Sequence, residues 1–338
     1  MPHFAEQSST ARVMGTRPVS VAEQALTRVP AQRLTSTVPR EYVHRAAVSE
    51  VFLTGWDAVG PVDPRGGSQE FVVRAQWPRS HSLFARDGEY QDPLLLIESV
   101  RQVGSLLAHA EFDVPFGYQF LMRDMSVSLE PELLRAGSTP TEVVLRTECR
   151  DIVRRNGALA SMAYVVTVER DGRRLGTAEA SFRCMSPQVF QRLRGDTPTH
   201  SDQPIPPAVE PALVGHTSPR HVVLGVPAPD TAGRWELRVD TAHPTYFDHP
   251  VDHVPGMVLL EAARQAAHAV SGMPDALVLG LKSSFTCYAE FEAPCWIEAR
   301  TVPGERGERG DGVLVRVEGT QRGKPVFTTD LVVAARTR

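Results

Sequence analysis

Two stretches of the sequence carry the same polar side chains on an otherwise apolar background. A carboxylate, a guanidinium and an amide recur at the spacing E-x-x-R-Q, as Glu98, Arg101 and Gln102 and again as Glu261, Arg264 and Gln265. A carboxylate that is desolvated among apolar residues has a raised pKa and can take a proton from a hydroxyl group. A guanidinium offers a planar fork of donors to a phosphate or an oxyanion. The pattern therefore indicates proton transfer beside an anion-binding group.

We expect Glu98 to be the general base and Arg264 to contact the phosphate or oxyanion, with Glu261 as the next catalytic candidate. Both stretches have helical spacing, and two duplicated helices are expected to lie side by side about a pseudo-twofold axis. Glu98 would then pair with Arg264, and Glu261 with Arg101. The remaining polar side chains of the pattern are expected to bind substrate: Arg101, Gln102 and Gln265. The alternative is that both ion pairs are structural, since an unpaired buried charge is costly.

The start of each helix provides a second candidate feature. Backbone N–H groups at a helix N-terminus bind anions, and Gly256 would let a substrate carbonyl approach closely, which makes it a candidate substrate-binding residue. The first helix has Pro93 at the corresponding place, and proline has no N–H to donate. Both residue types are also ordinary at helix starts. Histidines in the preceding loops would shuttle protons, contact a phosphate or, as is more common, be solvated: His81, His243, His249 and His253.

The segments around the two helices follow one order twice. In each half, strand-like segments precede the helix and an antiparallel series of strands follows it, with Asn156-Gly157 and Asp171-Gly172 predicted as hairpin turns. This order predicts a tandem duplication with repeats at residues 39–194 and 220–338, a Pro-rich linker at 195–219 and a flexible tail at 1–38. Each repeat is predicted to be an α+β unit in which an antiparallel sheet wraps round one central helix.

Composition restricts the class of protein. The chain of 338 residues is 42% hydrophobic and 22% charged, which suits a globular protein of two domains. A net charge of -4 argues against a nucleic-acid binder, and no segment has the length and hydropathy of a membrane span. The 4 cysteines form no metal-ligand spacing, so we expect reduced thiols, no metal and no cofactor in a cytoplasmic protein.

Four stretches in the same order resemble the A-factor biosynthesis (AfsA) family: V-P-R-E-Y-V-H-R at residues 38–45, I-E-S-V-R-Q at 97–102, F-L-M-R-D-M at 120–125 and L-L-E-A-A-R-Q at 259–265. The resemblance implies a double hotdog fold whose two repeats pack as a pseudo-dimer. It also implies transfer of a β-ketoacyl group from acyl carrier protein to the hydroxyl of dihydroxyacetone phosphate. The product would lead to a γ-butyrolactone or butenolide signalling molecule that controls secondary metabolism. The same resemblance points to Glu98 and Arg264 as the site.

Several alternatives stay open from the sequence. The second helix start is also similar to that of hydroxyacyl carrier protein dehydratases, but Phe84 and Phe247 stand where the histidine of those enzymes is expected. A hotdog thioesterase would use water in place of the alcohol, and a non-catalytic acyl-ligand binding protein would bind without turnover. The chain would act as a monomeric pseudo-dimer or a homodimer. Six arginines near the turns of the first half would dock an acidic carrier protein or simply be solvated: Arg150, Arg154, Arg155, Arg170, Arg173 and Arg174.

Overall fold

The computed structural model describes residues 35–60, 67–84, 89–227, 231–306 and 312–336. The predicted tail at residues 1–38 lies outside the described residues except at its end. There Val38 is buried, and its N–H donates to the carbonyl of Leu53 at 2.9 Å. Within the described ranges, no helix is both long and apolar enough to cross a membrane.

The first half, as far as the chain is described, places one long helix against six antiparallel strands. Its elements in order are β1 (Leu53–Val59), β2 (Gln69–Trp77), α1 (Pro93–Ala110), β3 (Gln119–Leu129), β4 (Thr141–Arg155), β5 (Ala158–Arg170) and β6 (Arg173–Met185). The short helix α2 (Pro187–Arg194) follows. Buried residues alternate with more exposed ones along β2 and β4, as expected for strands that cover a core with one face.

The second half repeats this arrangement with fewer strands before its helix. It contains β7 (Arg234–Glu236), α3 (Gly256–Ser271), β8 (Leu277–Phe285), β9 (Cys295–Arg306), β10 (Val313–Gln321) and β11 (Lys324–Ala334). Each strand predicted to follow a central helix is present, although several differ from the prediction at their ends. The predicted α+β class is confirmed.

The two halves share one sheet. Its strand order is β1-β2-β4-β5-β6-β3-β8-β11-β10-β9-β7, so β3 and β8 meet at the seam between the halves. These strands pair antiparallel, with Val127 opposite Leu281 and Asp124 opposite Ser284. The Ser284 hydroxyl also donates to the Asp124 carboxylate at 2.6 Å. Because α1 contacts β8 as well as strands of its own half, the seam positions the helix of one half against the sheet of the other.

Both central helices are buried on nearly every side. In α1 all residues except Arg101 and Ala110 are buried, and α3 is buried from Met257 to His268. Leucine, isoleucine, valine and alanine occupy all faces of these helices, which is typical of a helix enclosed by a protein core. Burying each larger apolar side chain stabilises the fold by roughly 2 kcal/mol. The polar side chains of the two helices must consequently find their partners inside the protein.

Both predicted hairpin turns of the first meander are present. The backbone φ angles are 52° at Asn156 and 83° at Gly157, and 51° at Asp171 and 71° at Gly172. Positive φ at both central positions is what two-residue hairpins of type I′ require, and it explains the choice of Asn-Gly and Asp-Gly.

The β-compatible composition of residues 47–53 and 221–224 predicts extended strands, but both segments have other structures. Residues 47–53 contain a 3₁₀ helix at Val48–Glu50 before β1 begins. Residues 221–224, predicted as a strand, contribute an isolated bridge between Leu224 and Leu237. In both places a 3₁₀ turn comes before the first strand, and the composition of a short β-compatible run does not predict such a turn.

Part of the predicted linker at residues 195–219 packs against α3. It contains a 3₁₀ helix at Pro211–Val214, which ends at Gly215 with a φ of 74°. The first half has a matching 3₁₀ helix at Arg40–Val43, which ends at His44 with a φ of 53°. The structural repeat therefore includes a short helical turn that comes before the first strand of each half. The exact repeat boundaries stay predictions.

Candidate functional site

Glu98 lies at the centre of a buried ion-pair cluster in the first half. Nη2 of Arg101, one turn further along α1, lies 2.7 Å from its carboxylate, and Nη2 of Arg45, from the segment before β1, lies 2.6 Å away. The Gln102 amide donates to the same carboxylate at 2.8 Å. Glu98 has 0% side-chain exposure, whereas Arg101 is 24% exposed. Arg101 is therefore the member of this cluster that a ligand reaches most easily.

The expected rise in the pKa of Glu98 is wrong. Burial acts to raise this pKa, but the charges of Arg101 and Arg45 outweigh burial and lower the pKa of Glu98 to about 2. The carboxylate is therefore ionised at neutral pH, and the donors around it occupy both of its oxygens. Such a carboxylate orients guanidinium groups well and accepts a proton poorly.

Glu261 has the corresponding position in the second half but different partners. Nη2 of Arg264 lies 2.5 Å from its carboxylate, and Nε2 of His216 lies 2.7 Å from it. The Nη1 atom of Arg264 donates to the Asp92 carboxylate at 2.6 Å. Burial acts to raise the pKa of Glu261, but the Arg264 charge and the His216 hydrogen bond hold it far below its usual range. This cluster is almost fully buried and offers no surface comparable to that of Arg101.

The expected pairing between the two helices is also wrong. Glu98 pairs with Arg101 of its own helix, and Glu261 pairs with Arg264 of its own helix. The spacing of the pattern explains this outcome, because side chains three residues apart on a helix are neighbours. Within these two clusters, the bond from Arg264 to Asp92, the residue that caps the N-terminus of α1, crosses between the halves.

Both glutamines of the repeated pattern are tied to the backbone. Gln102 accepts from the N–H of Phe52 at 3.1 Å, and Gln265 accepts from the N–H of Val223 at 2.9 Å. Each amide also donates to a backbone carbonyl and to the glutamate one turn earlier. Both side chains are fully buried. These two glutamines therefore attach each central helix to an earlier segment of its own half: Gln102 binds the backbone of residues 50 and 52, and Gln265 binds that of residues 221 and 223.

An inner cavity of about 230 Å³ lies between the C-terminal half of α1 and the N-terminus of α3. Among the predicted site residues, its described lining includes Arg101 and Gly256 but not Glu98, Glu261 or Arg264. Other polar groups at its surface are His44, Arg45, Ser105, His249 and His253. The apolar walls come from both halves: Phe120, Met125, Tyr164, Phe182, Met257 and Phe285. This is a site for a ligand that is apolar at one end and anionic at the other.

A wider outer cavity of about 540 Å³ adjoins the inner one. The two cavities adjoin at the six residues that line both: His44, Arg45, Gln119, His249, Val251 and His253. Helix α2 forms part of the outer wall through Phe190 and Arg194, and Arg194 is anchored by ion pairs of 2.8 Å to Asp252 and 2.6 Å to Glu290.

His44 and His109, which the sequence analysis did not select, form a hydrogen-bonded pair at the inner cavity. Their Nε2 atoms lie 2.7 Å apart, and Nδ1 of His109 lies 2.6 Å from the carbonyl oxygen of Val114. A carbonyl only accepts, so Nδ1 of His109 carries a proton, and its Nε2 accepts from Nε2 of His44. This network assigns the lone pair of neutral His44 to its Nδ1 atom. The signal that could have identified His44 is its position in the stretch 38–45, which carries the family resemblance.

Two further properties of His44 are typical of a functional residue. Its φ of 53° lies in the left-handed region, which costs a non-glycine residue about 1 kcal/mol or more. Burial, followed by the charge of Arg101, lowers the pKa of His44 to about 3. The imidazole is therefore neutral at physiological pH and able to accept a hydrogen bond. Backbone strain and a shifted pKa at one cavity together mark a candidate catalytic group.

The four loop histidines divide into two groups. His249 and His253 line both cavities. His81 and His243 are instead turned inward: His81 lies 3.3 Å from the Glu50 carboxylate, and Nδ1 of His243 accepts from the backbone of the following turn. The expectation that these loop histidines are solvated is therefore wrong for His81 and His243.

The six turn arginines of the first half do not gather into one patch. Arg154 and Arg155 adjoin the turn at one end of β5, whereas Arg170, Arg173 and Arg174 adjoin the turn at its other end. The strand has 13 residues and so spans roughly 40 Å. The expectation of one basic patch formed by all six is wrong, because the two turns lie at opposite ends of β5.

Two helix-and-sheet units on one chain, with a ligand cavity at the meeting of their central helices, define a double hotdog protein. The sequence profile described as the A-factor biosynthesis hotdog domain matches the chain twice, at residues 26–186 and 197–335. The chain belongs to the AfsA family, and both the expected family and the expected fold are confirmed.

Relatives called 2-oxo-3-(phosphooxy)propyl 3-oxoalkanoate synthase are similar to most of the chain. The protein of that name from Streptomyces virginiae is 48% identical over 87% of this chain and 97% of the relative. The one from Streptomyces griseus is 39% identical over 86% of this chain and 93% of its own length. Among solved structures, an acyl-ACP thioesterase from Bacteroides thetaiotaomicron aligns with 78% of this chain and 97% of its own, at 10% identity and a TM-score of 0.47.

Proposed function

We propose that this chain transfers a β-ketoacyl group from a carrier thioester to the hydroxyl group of dihydroxyacetone phosphate. The relatives share the name of a synthase, and the ester in that name is the product of this transfer. The shared name supports the expected acyltransferase. The hydroxyl oxygen bonds to the acyl carbon, the carbon–sulfur bond breaks, and the hydroxyl proton ends on the carrier thiol. The ester serves the biosynthesis of a γ-butyrolactone-type signalling molecule.

The observation that carries this proposal is the set of groups at the inner cavity. Acyl transfer to a phosphorylated alcohol needs an apolar site for the chain, a base for the hydroxyl, donors for the oxyanion and a cation for the phosphate. The cavity offers apolar walls from both halves, the His44 imidazole, the N-terminus of α3 at Gly256 and the Arg101 guanidinium. All four requirements meet in one place, and we therefore locate the reaction there.

His44 is the general base in this proposal, and His109 is a positioning residue. The bond between their Nε2 atoms fixes the His44 ring and leaves Nδ1 as the acceptor for the hydroxyl proton. The imidazolium then returns this proton to the departing thiolate. A pKa of about 3 makes His44 a weak base while the acceptor is absent. Because the Arg101 charge is one cause of this low pKa, a phosphate bound beside Arg101 raises it and strengthens the base.

Glu98, Glu261 and Arg264 do not line the inner cavity and act by holding other groups in place. Glu98 holds Arg101 and Arg45 in place by its ion pairs and is a positioning residue rather than the base. Glu261 and Arg264 form an ion pair on α3, and Arg264 also attaches α3 to the start of α1. Gly256 keeps the helix start open to the thioester carbonyl. Replacing any of these residues would disturb the walls against which the substrates lie.

We infer that the donor is carried by acyl carrier protein and that its prosthetic arm passes through the outer cavity. The wall of that cavity is built from α2 and the segment around His249, and it leads directly to His44. The chain acts in the cytoplasm as a monomeric pseudo-dimer, since one chain supplies both helices that the inner cavity needs.

Intact-mass analysis of a β-ketoacyl carrier protein, incubated with and without dihydroxyacetone phosphate, tests the proposal. Wild type would be run beside His44→Gly and Arg101→Gln, with Arg146→Gln on the exposed face of β4 as the matched arginine control. We expect deacylation with wild type and the control only when the acceptor is present, together with a phosphorylated ester. Equal deacylation without the acceptor would make the chain a thioesterase. No deacylation of either a carrier protein or a coenzyme A thioester would indicate a ligand-binding protein.

A further inference from the structure

Of the two pseudo-equivalent sites between the central helices, one holds an internal anion and the other is a cavity. The Asp92 carboxylate accepts from the N–H of Leu94 at the start of α1, at 2.9 Å, and from Arg264 at 2.6 Å. A carboxylate thus bridges the N-terminus of one central helix and the guanidinium on the other. Both sets of donors favour a negative charge at this point.

The repeated pattern identifies the matching positions on the other side of the pseudo-twofold axis. When Glu98 is aligned with Glu261, Arg101 matches Arg264 and Asp92 matches Pro255. The two cap residues have similar backbones, with φ −67° and ψ 125° at Asp92 and φ −59° and ψ 144° at Pro255. Proline has no carboxylate, and no side chain caps α3. The position equivalent to the Asp92 carboxylate thus falls at the start of α3, where the inner cavity lies.

The volumes of the two places agree with this comparison. Around Asp92, Pro93 and Arg264 the remaining space is about 10 Å³, whereas the cavity lined by Pro255, Gly256 and Arg101 measures about 230 Å³. Between the start of α1 and Arg264, the Asp92 side chain fills the space. Between the start of α3 and Arg101, the corresponding space is open.

The charges around the open cavity favour an anion. Two guanidinium groups, from Arg45 and Arg101, share the single carboxylate of Glu98, whereas Arg264 alone faces the two carboxylates of Glu261 and Asp92. Asp248 is the other carboxylate near the first cluster, and it accepts from the backbone N–H groups of Ala46 and Ala47. An anionic ligand would give Arg101 a second negative partner beside Glu98, as Asp92 gives Arg264 a second negative partner beside Glu261.

We propose that the phosphate group of the acceptor binds between the Arg101 guanidinium and the N-terminus of α3, in the place that the Asp92 carboxylate occupies in the other half. This inference rests on the proposed function and assigns one of its substrates to a subsite. A phosphate is anionic before the reaction begins, as Asp92 is, whereas the oxyanion of acyl transfer exists only transiently. The first turn of a helix leaves several backbone N–H groups without helical partners, so the phosphate and the thioester carbonyl take different donors at this helix start. The acceptor hydroxyl then extends along the cavity towards His44, which is part of the same lining.

The matched pair Pro255→Asp and Pro255→Asn tests the subsite. Aspartate at this position reproduces the internal anion, while asparagine has nearly the same size and capping ability without the charge. Binding would be measured without any acyl donor, by calorimetric titration of dihydroxyacetone phosphate, of inorganic phosphate and of unphosphorylated dihydroxyacetone. Thermal unfolding would confirm that both variants fold, and Arg101→Gln would test the guanidinium directly.

We expect Pro255→Asn to bind both phosphate compounds more weakly than wild type, because its amide fills the subsite and caps the helix. Pro255→Asp should bind them at least about tenfold more weakly than Pro255→Asn, because it adds a negative charge. Dihydroxyacetone without phosphate should not distinguish the two variants. Equal weakening by aspartate and asparagine, or no binding of either phosphate compound to wild type, would overturn the subsite. The proposed function is tested separately: charge-dependent phosphate binding without acyl transfer from any donor would support the subsite while refuting the transferase. Normal transfer by Pro255→Asp would refute the subsite and leave the transferase standing.

Discussion

The Asp92 carboxylate lies 2.6 Å from the Arg264 guanidinium and joins the start of the first central helix to the middle of the second. The side-chain exposures of the two residues are 0% and 2%. Arg264 also pairs with Glu261 of its own helix, so a single guanidinium neutralises two buried carboxylates from different halves of the chain. This contact makes the geometry of one half depend on the other.

Replacing Arg264 by alanine is expected to lower the free energy of unfolding by about 3 kcal/mol or more, because Asp92 and Glu261 would lose their shared counter-charge. Urea unfolding at neutral pH measures the change. The double variant Arg264→Ala with Asp92→Asn should recover part of the loss, since one of the two buried charges is then removed. Additive effects of the two substitutions would show that the pair is not coupled.

Replacing His44 by glycine should abolish most of the activity with little effect on stability. Glycine adopts the left-handed backbone of this position without strain, as Gly215 does at the matching turn of the second half, so we expect the free energy of unfolding to change by no more than about 1 kcal/mol. Loss of the base should lower kcat by about 100-fold or more. Substituting the exposed His200 by glycine provides the control. A His44→Gly variant with normal kcat would remove His44 from the mechanism.

Replacing Glu98 by glutamine should weaken acceptor binding and leave the shape of the pH–rate profile unchanged. The substitution frees Arg101 from its ion pair and leaves two partly buried guanidinium groups without their carboxylate, which should also cost about 3 kcal/mol of stability. The expected result is a higher KM for dihydroxyacetone phosphate, with the residual activity following the same pH dependence as wild type. If Glu98 carried the proton instead, the acidic limb of the profile would shift or vanish in this variant.

Stability is expected to fall as the pH falls from about 6.5 towards 4. Burial, with a contribution from neighbouring cationic groups, lowers the pKa of His44 to about 3 and that of His243 to about 4. Below pH 6.5 the unfolded chain takes up protons on these histidines while the folded chain does not, so protonation favours unfolding. Each histidine contributes a slope of about 1.4 kcal/mol per pH unit in this window.

Denaturant unfolding at pH 7, 6 and 5 measures this slope, and His44→Gly should reduce the slope by the contribution of one histidine. The low pKa values of Glu98 and Asp252 act in a different window, because their stabilisation is lost only as the pH falls below about 4.5. A stability that stays constant between pH 7 and 5 would contradict the assignment of buried, neutral histidines.

Most of the fold followed from the sequence because its signals are local and occur twice. The hairpin turns at Asn156 and Asp171 and the two apolar helices each depend on a few adjacent residues, and the structure contains all of them. The short 3₁₀ turns before each half were not predicted, since residues 40–43 and 211–214 have no periodicity that distinguishes a single helical turn from a loop.

The site was only partly predictable, because its geometry depends on contacts between distant residues. Arg101 and Gly256 were selected and do face the cavity, but the partners of Glu98 were assigned from the expected symmetry of the helices. Arg45 and His44 lie more than fifty residues earlier and enter the site through a left-handed turn that no spacing rule reveals. Asp92 was not predicted to be part of the site, because its bond to Arg264 depends on the tertiary structure.

The continuous sheet across β3 and β8 has a consequence for how such a protein can evolve. In a dimer of identical subunits every substitution occurs at both symmetry-related positions, so a residue that closes one pocket closes the other as well. With both halves encoded in one chain and joined at a fixed seam, each half accumulates its own substitutions. Asp92 opposite Pro255 and His44 opposite Gly215 are two such differences. Because the two halves no longer change together, one pseudo-equivalent site holds the ion pair of Asp92 with Arg264, while the other is an open cavity.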